Sequence, residues 1–152
     1  DEEFKKDMDS APTIKSRIEA MKQVHDAGIR TTCFISPIFP GITDVFTIIE
    51  EIKDFCDYIW LENLNLRGTF KPTIINYIKE KHPELNDLYN KIYTKKDMSY
   101  WERLDKKVQE YANKNGLMYV IDEEPFLKNP TGKPIIINYF YHEKIRQLSK
   151  NK

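Results

Sequence analysis

Apolar residues recur at Ile14, Ile18, Met21 and Val24, the spacing of one helical face. Thr13 stands where an N-cap is needed, and Gly28 where a left-handed residue would stop the helix. The pattern then changes period. IRTTCFIS is short and β-branched and reads as a strand. Helical spacing returns in TDVFTIIEEIKDFC, with Thr43 or Asp44 as cap and Val45, Ile48, Ile49, Ile52 and Phe55 on the buried side. YIWLENLNL is a second strand. FKPTIINYIKEK is helical and should end just before Pro83. ELNDLYNKIY continues with Leu85, Leu88, Tyr89 and Ile92 on one face. SYWERLDKKVQEYANKNG is a longer helix, with Ser99 and Glu102 spaced as a capping box and Gly116 as its stop. LMYVI and IIINYFY read as two further strands.

Helix and strand alternate at the start with short connections, which predicts parallel strands joined by right-handed helical crossovers. The expected fold is α/β, a partial parallel (β/α) barrel of roughly four strands with covering helices. The length of 152 residues suits one domain over 1–152. At 40% hydrophobic and 32% charged, the composition is that of a globular protein. With 24 basic and 24 acidic residues there is no global bias toward nucleic acid. No apolar run approaches the roughly 20 residues that span a bilayer. Cys33 and Cys56 both lie in apolar surroundings and match no zinc or C-x-x-C spacing. They read as buried free thiols, which suits a reducing cytoplasm. His25, His82 and His142 are far apart and match no metal-ligand pattern.

In parallel sheets, ligands bind beyond the carboxyl ends of the strands, so chemistry is expected there. The first strand ends in FISPIFPGITD, where two prolines fix direction and Gly41 permits close backbone approach. That segment is either one wall of a ligand site or a rigid connection. In the second strand, alternation puts Ile59, Leu61, Asn63, Asn65 and Arg67 on one face, apolar first and polar last. A packed core below a hydrogen-bonding site would produce that gradient. Glu62 falls on the other face and needs a partner if buried, such as a lysine or arginine from a covering helix. Asp122, Glu123 and Glu124 are either a solvated acidic turn or the carboxylates of a small metal-dependent hydrolase. The run Tyr139, Phe140 and Tyr141 reads as core packing rather than base stacking.

APTIKSRIEAMKQVHDAGIRTTCFISPIFPGITD, followed by WLENLNLRG, resembles the second half of the catalytic domain of radical SAM enzymes. The nearest branch is that of spore photoproduct lyase and the DNA-repair-photolyase-like iron–sulfur proteins. The shared elements span residues 11–44: an Ala-Pro segment, a helix with an arginine, an Ala-Gly-Ile turn, a strand and a Pro-Ile-x-Pro-Gly-x-x-Asp turn. The resemblance implies a partial barrel holding S-adenosylmethionine and a [4Fe–4S] cluster. It implies that Ile38, Phe39 and Gly41 pack on the adenine, that Asn63, Asn65 and Arg67 face cofactor or substrate, and that Arg17 stands near the ribose or carboxylate. The family's C-x-x-x-C-x-x-C motif is absent, and a cluster needs thiolates. The chain is therefore expected to be a C-terminal piece whose partner is the N-terminal half of the barrel, with no cofactor bound by itself. Sheet edges left open by such a division would be covered by a C-terminal helix or by self-association. The other reading is a stand-alone module that binds a nucleotide or small anion without catalysis.

Overall fold

A computed structural model describes residues 12–121 and 132–140. The acidic run 122–124, the Ala11 end of the Ala-Pro segment, Tyr141 and His142 lie outside the described residues. The chain runs α1 (Ile14–Asp26), β1 (Thr32–Ile38), α2 (Val45–Ile52), β2 (Tyr58–Asn63), α3 (Phe70–Lys81), a 3₁₀ turn (Pro83–Leu85), α4 (Asn86–Tyr93), α5 (Ser99–Asn115), β3 (Met118–Ile121) and β4 (Ile135–Asn138). The punctuation behaves largely as its chemistry requires. Thr13 Oγ1 accepts from Ser16 N at 3.1 Å, and α3 stops at Lys81, with His82 as C-cap before Pro83. The capping box at Ser99 does not form. Met98 is the N-cap of α5, and Asp97 Oδ1 takes the Ser99 amide at 2.8 Å. An acceptor two residues upstream reached that amide first.

All four strands are parallel, in the order β1-β2-β4-β3. The protein is thus α/β, with a four-stranded parallel sheet. Strands in a barrel follow chain order. β1 and β2 do so, whereas β4 inserts between β2 and β3.

One face of the sheet carries the core. Ile35, Ile59, Leu61 and Ile136 form a single buried cluster with Val45, Ile49 and Ile52 of α2, Ile74 and Ile78 of α3, Tyr89 and Ile92 of α4, and Trp101 and Val108 of α5. Fully burying each such side chain contributes about 1.5–3 kcal/mol. α1 is the weakest contributor. Ile18 and Met21 pack on the cluster, but Ile14 and Val24 remain half exposed, so its apolar stripe is only partly used. The other face belongs to Phe34, Trp60, Ile135, Ile137 and Val120, none of which joins that cluster. The described helices pack on the first face, and the second is open only toward β1, where Phe34 is exposed, whereas Ile135 and Ile137 of β4 are buried.

Asp105 of α5 sets the place of β4 beside β3. It accepts hydrogen bonds from the Tyr119 hydroxyl, from Asn138 Nδ2 at 2.6 Å and from Gln109 Nε2 at 3.1 Å. Asn138 Oδ1 accepts from Phe140 N at 2.8 Å, so this buried amide is satisfied at both ends.

Candidate functional site at the carboxyl ends of the strands

The turn after β1 is held from within and from the helical side. Thr43 Oγ1 accepts from Phe39 N at 3.0 Å, and the Phe39 carbonyl accepts from Ile42 N and Thr43 N at 3.1 and 3.0 Å. Asp44 caps α2, with Oδ1 accepting from Thr47 N at 3.1 Å and Oδ2 from the Thr47 hydroxyl at 2.8 Å. These bonds hold the Asp44 carboxyl below its ordinary range, chiefly through the Thr47 amide. The same carboxylate occupies the helix N-terminus, where an external anion would otherwise bind. Gly41 has φ +76°, and a Cβ there would lie 2.8 Å from Leu85 Cδ2. Its amide donates to the Tyr100 hydroxyl at 3.2 Å. The close approach that Gly41 permits is made by Leu85 of the 3₁₀ turn.

Ile38 is fully buried in the core cluster. A register shift between Ile35 and Ile38 sets Ser36 and Pro37 against one residue of β2, so Ile38 returns to the helical face beside Asn63. Phe39 is partly buried and packs on the same cluster. Asn63, only 8% exposed, ends β2 on that face, with Leu64 buried next to it. Alternation stops there. Asn65 and Arg67 lie in the exposed loop beyond, where Arg67 Nε donates to Asn65 Oδ1 at 3.2 Å. Arg17, exposed on α1, lies near Cys33 at the start of β1 and acts on its thiol. The structure therefore does not gather the seven predicted residues around one cavity.

The opposite face brings together a different set. Phe34 of β1, Trp60 of β2 and Tyr139, just past β4, form a row of edge-to-face rings, with centroids 6.4 Å apart for the first pair and 5.9 Å for the second. Phe34 is 54% exposed. Just beyond them, toward the carboxyl ends, the Ser36 hydroxyl donates to Glu62 Oε2. A serine of the neighbouring strand, rather than a helical cation, is thus the partner of Glu62. Aromatic faces beside a hydroxyl and a carboxylate can stack a flat ring and accept hydrogen bonds from hydroxyl or amino groups. Phe34, Ser36 and Tyr139 were not singled out for this role from sequence. Their signal was the same period of two, read on the face opposite the polar gradient.

The cysteines offer no cluster site. Burial raises the Cys33 thiol, against the Arg17 charge, and pushes Cys56 up to about 12. Cys56 Sγ also donates to the Tyr58 carbonyl at 3.1 Å. Cys56 is buried and Cys33 partly buried, and two thiols whose ionisation burial opposes do not fit a cluster that needs thiolates. Among the described residues, no group of three His, Cys, Asp or Glu side chains could hold a metal ion.

Part of the chain is similar to a protein of Methanocaldococcus jannaschii described as uncharacterized, at 39% identity over 84 residues. The match takes in 53% of this chain and 31% of the relative, so the chain spans about a third of the curated relative it matches. No family model and no solved structure matches. Among the described residues, no helix is long and apolar enough to cross a membrane.

Proposed function

We propose that this chain is the C-terminal portion of a radical SAM iron–sulfur enzyme, forming part of its cofactor and substrate wall. The observation that carries the reading is the asymmetry of β1 and β2. Helices on one face of these strands, and an aromatic row with a Ser36–Glu62 pair on the other, are what a segment of barrel wall needs, since its inner face meets the ligand. On this reading β1 and β2, adjacent in chain order, belong to the barrel, and β4 and β3 extend it. The side of β1 that pairs with no other described strand, with Phe34 exposed beside it, would receive the preceding strand of the longer polypeptide.

Phe34, Trp60 and Tyr139 would stack against and desolvate adenosylmethionine or substrate, and Glu62, held by Ser36, would accept from a hydroxyl or amino group. Bound against these residues, adenosylmethionine would supply the hydrogen-atom abstraction chemistry of the whole protein. Isolation of the whole gene product under anaerobic conditions tests the reading. A cluster spectrum, formation of 5′-deoxyadenosine from adenosylmethionine, and loss of that product in Trp60→Ala and Glu62→Gln at unchanged cluster content are expected. A gene with an initiator Met directly before Asp1, or a whole product that binds no cluster, would overturn it.

The second reading is a stand-alone nucleotide-binding module on the same face. It is favoured by the same row of rings, which can stack a base in the absence of any cluster. Saturable quenching of Trp60 fluorescence by adenosine with the 152-residue chain alone would support it.

A further inference from the structure

A pocket lies on the helical side, where the chain leaving β2 passes the end of α4. Its volume is about 250 Å³. Leu64, Leu66, Ile92 and Met98 give it apolar walls, and Asn65 and Lys96 are its polar lining. Tyr93 also lines it, but the phenol is already committed, donating to the Leu64 carbonyl at 2.9 Å. Arg67 Nε fixes Asn65 by its Oδ1, which leaves the Asn65 amide nitrogen as a donor. Among the described residues, neither Lys96 nor Arg67 takes part in an ion pair. Asp97, the adjacent acid, is occupied by the Ser99 amide. The polar lining of the pocket thus offers a free amide donor from Asn65 and the cation of Lys96, beside the Tyr93 hydroxyl.

Lys96 carries a further sign. It is the non-glycine residue with positive φ, +58°, among the described residues. Its conformation is imposed by the end of α4, where Lys95 N reaches Asn90 O at 3.0 Å and Asp97 N reaches Lys91 O at 2.9 Å. Glycine suits such a position, and any side chain there is strained. A lysine at this point lines the pocket with a cationic residue.

We propose that this pocket binds a small carboxylate with an apolar body, its carboxyl group met by Lys96 and Asn65 and its body held among Leu64, Leu66, Ile92 and Met98. The volume corresponds to roughly eight waters at about 30 Å³ each, which a chain of about eight carbons would displace. Octanoate is the probe, with octanol and inorganic phosphate as controls, and the methyl resonance of Met98 in the full chain is the readout. Octanoate is expected to give a saturable shift, and octanol and phosphate alone are not. Lys96→Gly keeps the left-handed backbone and removes the charge. It should weaken octanoate about tenfold or more while leaving the melting temperature no lower. Leu66→Trp should abolish the shift with the fold retained. Equal binding of octanol, equal binding of phosphate, unchanged affinity in Lys96→Gly, or no saturable shift of Met98 would each overturn the assignment.

Discussion

Gly41 and Gly28 have the same backbone conformation, φ +76° and +77°, but different surroundings. That pair allows the packing of the β1–α2 turn to be weighed. Alanine at Gly28 meets nothing within 4 Å, so only the left-handed strain applies. That strain is about 1–2 kcal/mol, and the stiffer unfolded chain returns about 0.4–1 of it, leaving roughly 1 kcal/mol. Alanine at Gly41 adds a Cβ 2.8 Å from Leu85 Cδ2 and 3.3 Å from Cδ1. Those methyls end a flexible side chain, so relief by an off-rotamer shift adds about 0.5–1.5 kcal/mol rather than a backbone rearrangement. Gly41→Ala should therefore cost about 2 kcal/mol, twice Gly28→Ala, and lower the melting temperature by about 4–8 °C. Urea denaturation of both mutants, alone and with Leu85→Ala, measures the difference. Leu85→Ala should recover about 1 kcal/mol from Gly41→Ala and nothing from Gly28→Ala. Equal losses at the two glycines, or no recovery, would show that Leu85 does not bear on the turn.

Asp105→Ala should cost about 1–3 kcal/mol by thermal melting, because the Tyr119 hydroxyl loses its acceptor while Asn138 Nδ2 keeps only its bond to the Tyr119 oxygen. Asp44→Ala should cost about 1 kcal/mol at pH 7 through loss of the α2 cap. The folded Asp44 carboxyl lies below its unfolded value, so its contribution is complete above the ordinary carboxylate pKa and fades as pH falls through the lowered one. The gap between wild type and Asp44→Ala should accordingly close below about pH 4 in acid titrations. In the folded protein, both thiols should react with a disulfide reagent at pH 8 far more slowly than after denaturation, with Cys56 the slower of the two.

The elements were legible because each advertises itself locally. The four strands and the helices follow from a change of period between 3.6 and 2. Thr13, Asp44, Gly28 and Gly116 close their helices by bonds and dihedrals that reach only a few residues along the chain. The failed capping box at Ser99 is local as well. Asp97 and Glu102 competed for the same turn, and sequence spacing does not rank them.

The site was less legible because facing is a property of the sheet. Period two divides β2 into Trp60 and Glu62 against Ile59, Leu61 and Asn63, but it does not say which set the helices will cover. The polar gradient toward Asn63 pointed to the face that became the core. One shifted residue pair in β1 was enough to return Ile38 to that face, and no local rule foretold it. Strand order is decided later still. The chain alone determined that there would be parallel strands with helical crossovers. Only the packed structure decided that β4 lies between β2 and β3, that Leu85 fills the space at Gly41, and that Phe34, Trp60 and Tyr139 share a face. These are contacts between residues tens of positions apart, and their free energy exists only once the chain has closed upon itself.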